Sequence, residues 1–191
     1  MSTPEIIAVL LGLANVGLII RRSIWNYPFG FAMVALYAVI FYDYRLYSDA
    51  LLQVFFFVAQ IFGLWHWLNG RADDGRIRVE TLTLHWRLAT VALTALGWLA
   101  LGWLMATYTD AAVPYWDASV AAMSVTAQIL LSMRRIENWL FWIVTDIDAI
   151  VLFWFKDLQL TAGLYAVFLC LAVVGLVSWL GARRAVPVPV R

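Results

Sequence analysis

One cysteine stands in the whole chain, Cys170, and an apolar run surrounds it. No disulfide can close within one chain on that count, and no thiolate cluster can hold a metal. Histidine is nearly as scarce: His66 and His85 lie near opposite ends of one loop, too few for a metal centre. Charge is scarce as well. Asp, Glu, Lys and Arg make up 13% of the residues, where a soluble domain carries about 25%. The only substantial polar stretch is Asn69–Thr83, which leaves nothing from which to build a soluble domain. HExxH, GxSxG and Walker-type loops are missing, and with them the usual signatures of a hydrolase or a nucleotide-driven pump. No enzyme and no cofactor is expected. The net charge of +1 offers no basic face to nucleic acid, because the charges are sorted by loop rather than pooled. The N-terminus is not expected to be a cleavable signal. It lacks a basic start, its apolar run is long, and Arg21-Arg22 follow that run directly.

What the chain does have is apolar length. It is 64% hydrophobic and 16% aromatic, with a mean hydropathy of +0.84. A helix needs about 20 mostly apolar residues to cross a bilayer. Seven segments qualify or come close: 5–20, 26–43, 47–69, 85–106, 117–133, 138–155 and 160–182. A transmembrane barrel would instead show runs of about 10 residues with strict alternation. The runs here are too long and too uniform. The expected fold class is an all-α integral membrane protein with seven transmembrane helices, a single membrane domain over 1–191. The basic residues orient it. Arg21, Arg22, Arg71, Arg76, Arg78, Arg87, Arg134, Arg135, Arg183, Arg184 and Arg191 fall on one side of these spans, and only Arg45 and Lys156 on the other. Basic loops stay in the cytoplasm, so the N-terminus is expected outside and the C-terminus inside. The end VPVPVR carries no evident function.

The second half also repeats the first at an offset of 112 residues. Arg22 meets Arg134, Asn26 meets Asn138, Phe29 meets Phe141, Phe41 meets Phe153, Leu46 meets Leu158, Ala50 meets Ala162, Phe56 meets Phe168, Gly63 meets Gly175 and Trp67 meets Trp179. Glu5 falls on Asp117 at the head of each half. A long fixed period marks a duplicated unit. The spans then group as a three-helix repeat over 5–69, a cytoplasmic loop over 70–84, a linker helix over 85–106 and a second three-helix repeat over 117–182. Matched spans lie four crossings apart and run the same way, so the repeats are parallel, about an axis along the membrane normal. Duplicated units of this kind commonly form transporters that hold substrate between the halves.

Polar side chains inside spans are costly and need a reason. They are Asn15 in the first span, Gln53, Gln60 and His66 in the third, Thr126 and Gln128 in the fifth, Thr145, Asp146 and Asp148 in the sixth, and Tyr165 in the seventh. Trp142 and Asp146 are four residues apart and share a helix face, which Asn138 extends by a turn. An indole, a carboxylate and an amide on one wall suit a flat, cationic or hydroxylated ring. Asp148 is turned about 200° from Asp146, so it must meet another helix or be protonated. Where one half is polar, the other is often apolar: Asp146 falls on Val34, Trp142 on Gly30, Gln128 on Val16, Gln60 on Ala172, Gln53 on Tyr165 and Asn15 on Ala127. Shared positions read as fold, and unshared ones as places to recognise an asymmetric substrate. Structural readings stand beside these. Mid-span amides also tie helices together, at about 0.6 kcal/mol each. Trp25, Trp103, Trp116 and Trp179 read as interfacial anchors. Asp146 itself has a structural reading as partner to another helix.

Four stretches, RRSIWNYPFG, LYSDALLQVFFFVAQIFGLWHW, AQILLSMRRIENWLFWIVTDIDAI and LTAGLYAVFLCLAVVGLVSW, together resemble the bacterial Pnu-type vitamin transporters, nearest the PnuC nicotinamide riboside transporters. The resemblance covers about 5–182, and its most specific parts are Glu137–Trp142, Gln128 and the Gln60–Trp67 run. It implies a SWEET-like fold in a bacterial inner membrane. It implies facilitated diffusion of an unphosphorylated B-vitamin precursor, trapped inside by a cytoplasmic kinase that is its functional partner. Trp142 would stack on the ring, and Gln60, Gln128, Asn138, Asp146 and Tyr165 would make polar contacts, with Trp139, Gln53 and Asn15 completing the expected set. Family members take nicotinamide riboside, thiamine or riboflavin. An acidic Asp146 suits a cationic ring, and overall similarity favours nicotinamide riboside. Asp148 departs from the family pattern and leaves room for proton coupling. Association into a homo-oligomer would use exposed helix faces, and the residues fix no number of copies.

Overall fold

A computed structural model of the chain describes residues 3–44, 47–70 and 77–184. Arg45, Leu46, Arg71, Arg76, Arg191 and the VPVPVR end lie outside the described residues, as does the side chain of Arg184. The described chain forms seven α-helices: α1 (Thr3–Ile20), α2 (Asn26–Asp43), α3 (Tyr47–Leu68), α4 (Leu84–Tyr108), α5 (Pro114–Ser132), α6 (Asn138–Phe155) and α7 (Gln159–Arg184). Five are long and apolar enough to cross a membrane: α1, α3 over Ala50–Leu68, α4, α6 and α7. The expectation of seven such spans holds for those five. α2 is diluted by Asn26, three tyrosines and Asp43, and α5 by Tyr115, Trp116, Asp117, three serines, Thr126 and Gln128.

Helix starts follow from residue type. Pro4 and Pro114 stand in the first turns of α1 and α5, where the missing N–H has no intrahelical partner to lose. Glu5 and Asp117 occupy the same turns and meet the positive end of the helix dipole. Helix ends are less expected. Arg22 (φ 56°), Arg134 (φ 59°) and Asp157 (φ 59°) are left-handed, at positions where glycine is the usual choice. At the first of these, Ser23 N–H bonds Leu18 O at 2.9 Å and Arg22 N–H bonds Ile19 O at 2.8 Å, the two bonds of a Schellman cap.

The chain divides into two compact units. The first is Met1–Val79 with Ser132–Arg134 and Gly181–Arg191. Here α2 packs on both α1 and α3, and the buried apolar residues include Ala8, Ile19, Tyr27, Val34, Ile40, Trp67 and Ile77. Tyr27 meets Trp67 edge-on at 5.6 Å, and its hydroxyl lies over Gly63, where a Cβ would fall 2.8 Å away. Two arginines fasten the segment after α3: Arg22 Nη1 donates to Ile77 O at 3.3 Å, and Arg134 Nη1 to Gly70 O at 2.9 Å. Arg134 Nη2 also donates to His66 Nε2 at 3.1 Å. Both side chains are therefore occupied where they leave strained caps.

The second unit is Glu80–Leu131 with Arg135–Leu180. Its core holds Ala118, Ala127, Leu130, Ile136, Trp139, Ala149, Leu152, Ala162, Ala172 and Trp179. Trp139 meets Trp179 edge-on at 5.6 Å, and its ring lies over Gly175, with a Cβ there only 2.5 Å away. Trp179, expected as an interfacial anchor, is instead fully buried at 0% exposure, because this α6–α7 packing claims it. Trp25 and Trp103 are exposed, as anchors would be. α4 lies on α5 through three contacts: the Tyr115 ring against Gly102, Trp98 Nε1 to Tyr115 O at 2.6 Å, and Thr94 with Thr126 at 2.8 Å. Glu137 organises the turn before α6. Its Oε1 accepts from Leu82 N–H at 3.0 Å and from Arg87 Nε at 2.9 Å. Arg135 pairs with Glu80 at 2.7 Å beside it.

Candidate functional site

In the first unit, three helices bring a polar pair to one glycine. Asn15 on α1 and Gln60 on α3 are buried. Both side chains reach the space over Gly30 of α2, where a Cβ would strike Gln60 Oε1 and come within 2.5 Å of Asn15 Nδ2. A side chain at position 30 would therefore displace both amide ends. Asn15 Oδ1 and Gln60 Oε1 have no hydrogen-bond partner. Buried polar atoms are nearly always paired, so each unmet oxygen can still accept a hydrogen bond, and over Gly30 that oxygen is Gln60 Oε1, with Asn15 Nδ2 beside it. Gln53 lies two turns before Gln60 on the same side of α3 and is half-buried.

In the second unit, the candidate residues gather on α6. Asn138, Trp142, Thr145 and Asp146 fall within about 100° around that helix. Asn138 is the first residue of the helix. Its Nδ2 donates to Arg135 O at 2.6 Å, just as Asn26 Nδ2 of α2 donates to Ser23 O at 2.7 Å. That amide half locks the turn into the helix, and Oδ1 is left buried and unmet. Trp142 is half-buried, and among the described residues no other aromatic ring pairs with it. Asp146 is buried and receives no hydrogen bond from any described residue. Thr145 Oγ1 is buried and unmet. One face of α6 therefore carries an indole with no ring partner, an acceptor, a hydroxyl and a carboxylate, a set suited to a flat polar cation.

The remaining expected residues are placed as follows. Trp139 is committed to packing on Trp179 and Gly175, and only its Nε1, also unmet, is left to a ligand. Tyr165 stacks on Phe153 at 5.3 Å, two turns past Asp146 on the same side of α6. Gln128 is half-buried on α5. Asp148 meets another helix, the first of its two expected fates. Its carboxylate accepts from Trp116 Nε1 at 2.7 Å and from Ser119 Oγ at 2.5 Å, both on α5. Trp116 is therefore a partner to Asp148 and stacks on Phe155, where an anchor was expected. A further tie joins Lys156 to Asp117 at 2.5 Å.

The chain is similar to known proteins. The family model described as nicotinamide mononucleotide transporter matches residues 2–181. The nicotinamide riboside transporter PnuC of Escherichia coli is 27% identical, over 96% of this chain and 87% of that protein. The riboflavin/roseoflavin transporter RibM of Streptomyces davaonensis is 26% identical, over 94% of this chain and 86% of its own. A crystal structure of the vitamin B3 transporter PnuC superposes with a TM-score of 0.77 at 28% identity, covering 93% of this chain and 80% of the other. The chain belongs to the nicotinamide mononucleotide transporter family, and it is a multi-pass membrane transporter of a small vitamin and not an enzyme.

Proposed function

We propose that the protein carries nicotinamide riboside across a bacterial inner membrane by facilitated diffusion, with a cytoplasmic kinase trapping the product. The observation that carries this reading is the α6 wall, where Asn138 Oδ1, the Trp142 ring, Thr145 Oγ1 and Asp146 are buried or half-buried without partners. A pyridinium ring would stack on Trp142 while Asp146 balances its charge. Asn15, Gln53, Gln60, Gln128, Trp139 and Tyr165 are the further residues proposed for polar contacts. All seven helices span the membrane in this reading, with the N-terminus outside, and 5–69 and 117–182 form two parallel repeats about the 85–106 linker. Three coincidences support the repeat. α6 begins and ends 112 residues after α2, the left-handed arginines are 112 apart, and the edge-on pairs Tyr27–Trp67 and Trp139–Trp179 match at the same offset.

A riboflavin carrier is the second reading, favoured by the near-equal identity to RibM. Asp146 argues against it, since a neutral isoalloxazine gains nothing from a carboxylate. Proton coupling through Asp148 is disfavoured by its two α5 donors. A pH gradient that changed vitamin accumulation in proteoliposomes would restore it.

Calorimetric titration of the purified protein with nicotinamide riboside, thiamine and riboflavin decides among these. Binding of nicotinamide riboside alone supports the reading. Binding of another vitamin overturns the substrate, and binding of none overturns the wall. Asp146→Asn should weaken the riboside about tenfold, the loss of one charge-assisted contact, and leave neutral ligands unchanged.

A further inference from the structure

Thr145 stands outside the expected site residues, and its hydroxyl breaks a pattern that runs through the rest of the molecule. Every other threonine beyond the first turn of a helix returns its hydroxyl to the carbonyl four residues back. Thr90 bonds Trp86 O at 2.8 Å, Thr94 bonds Thr90 O at 2.8 Å, Thr107 bonds Trp103 O at 2.8 Å and Thr126 bonds Ala122 O at 3.0 Å. That local bond is the ordinary way for a helical threonine to satisfy itself. In a bilayer, where water is absent, it is also the safest. Thr145 does not make it. The residue is 1% exposed and Oγ1 has no partner, so the hydroxyl is turned away from its own helix without gaining anything from the protein. The residue 112 positions earlier is Met33, so the hydroxyl belongs to one half only, as Asp146 does.

Its place on α6 indicates what it reads. Asn138 lies within about 20° of Thr145 around the helix, and Trp142 lies between them along the axis, about one turn from each. The two ends of this stripe differ in chemistry. Asn138 gives one N–H to Arg135 O and leaves its carbonyl oxygen unmet. Thr145 offers a donor and an acceptor, and the Asp146 carboxylate adjoins it. In a ribosylated pyridinium, the cationic ring nitrogen is the atom that carries the sugar. The end of the stripe that holds the carboxylate is therefore the sugar end, and the unmet Asn138 Oδ1 at the other end can accept from an amide N–H.

Resting on the α6 site described under the proposed function, we propose that Thr145 is a specificity-determining residue that hydrogen-bonds a sugar hydroxyl of the substrate, selecting a ribosylated ring over the bare cationic ring. The test compares two ligands on the purified full chain: nicotinamide riboside, and the ring-N-methylated nicotinamide cation, which keeps ring and charge and lacks the sugar. The weaker ligand is read by displacement. Thr145→Val should weaken the riboside roughly five- to tenfold, the range of one neutral hydrogen bond, and leave the methyl cation unchanged. Thr145→Ser should keep riboside affinity within about twofold. Ligand-free Thr145→Val should melt no lower than the parent, because it removes a buried hydroxyl that has no partner. Equal losses for both ligands, or a lower melting temperature that Ser restores, would make the hydroxyl structural and overturn the inference. Asp146→Asn run alongside separates the two readings. If it weakens both cations while Thr145→Val shows no selectivity, only this inference falls. If it weakens neither, the α6 site falls and this inference with it.

Discussion

The two halves solve the same packing problem with opposite sizes. At the centre of the first, the middle helix contributes Gly30 and its neighbours contribute two amides, Asn15 and Gln60. At the same offset in the second, the middle helix contributes Trp142, and the flanking positions are Ala127 and Ala172, both buried. Small and large residues thus exchange places between the two sets of matched positions. Around this exchange the frame hardly changes: an aromatic on the middle helix stands edge-on to a tryptophan on the third, over a glycine of that third helix. The same frame thus stands in both halves, while the swapped positions hold two amides in one and an indole in the other.

Trp142→Ala removes the stacking surface and should cost about 100-fold in affinity, within the range for truncating an aromatic under a heterocycle. Titration of the variant checks this, and a loss below about threefold would make Trp142 a packing residue. The shared frame should respond in stability instead. Gly175→Ala drives a methyl into the rigid Trp139 ring and should destabilise by about 2 kcal/mol, as overpacked cores do. Gly63→Ala meets the Tyr27 and Ser132 hydroxyl oxygens at 2.8 and 2.9 Å and should cost less, because those tips are farther away. Thermal unfolding in detergent ranks the pair, and the reverse order would mean that the frames differ more than their geometry suggests. Gly30→Ala should have the smallest effect on melting and still lower affinity several-fold, about 1 kcal/mol. The atoms it displaces are the flexible ends of Gln60 and Asn15, the ends proposed to meet substrate.

Much of this was open to a reader of the sequence, for reasons that can be named. Apolar runs place helices at 26–43 and 138–155, and α2 and α6 occupy those residues. Loop residues sharply punctuate both. Helical periodicity requires Asp148 to face away from Asp146, and it does meet α5. Partner identity was not legible, because Trp116 and Asp148 are 32 residues apart and a tryptophan near a span end looks alike as anchor or donor. The left-handed caps were hidden as well. Arg22 and Arg134 read as topology signals, since a positive φ at arginine has no mark in composition. Thr145 escaped because its significance lies in a rotamer, which only the absent bond to Phe141 reveals.

The tie between Asp148 and α5 also bears on how the protein is made. An aspartate at the centre of an isolated span raises the cost of entering the bilayer by about 2.5–3.5 kcal/mol, and α6 carries two. Trp116 and Ser119, which receive one of them, lie on the helix synthesised just before. In an insertion assay, α6 alone should stay outside far more often than the α5–α6 pair, and Trp116→Phe with Ser119→Ala should narrow that gap. Equal insertion of α6 with and without α5 would rule this out. The larger insertion of the pair would make α5 the chaperone of α6 during biogenesis, with the two entering the lipid as one hairpin.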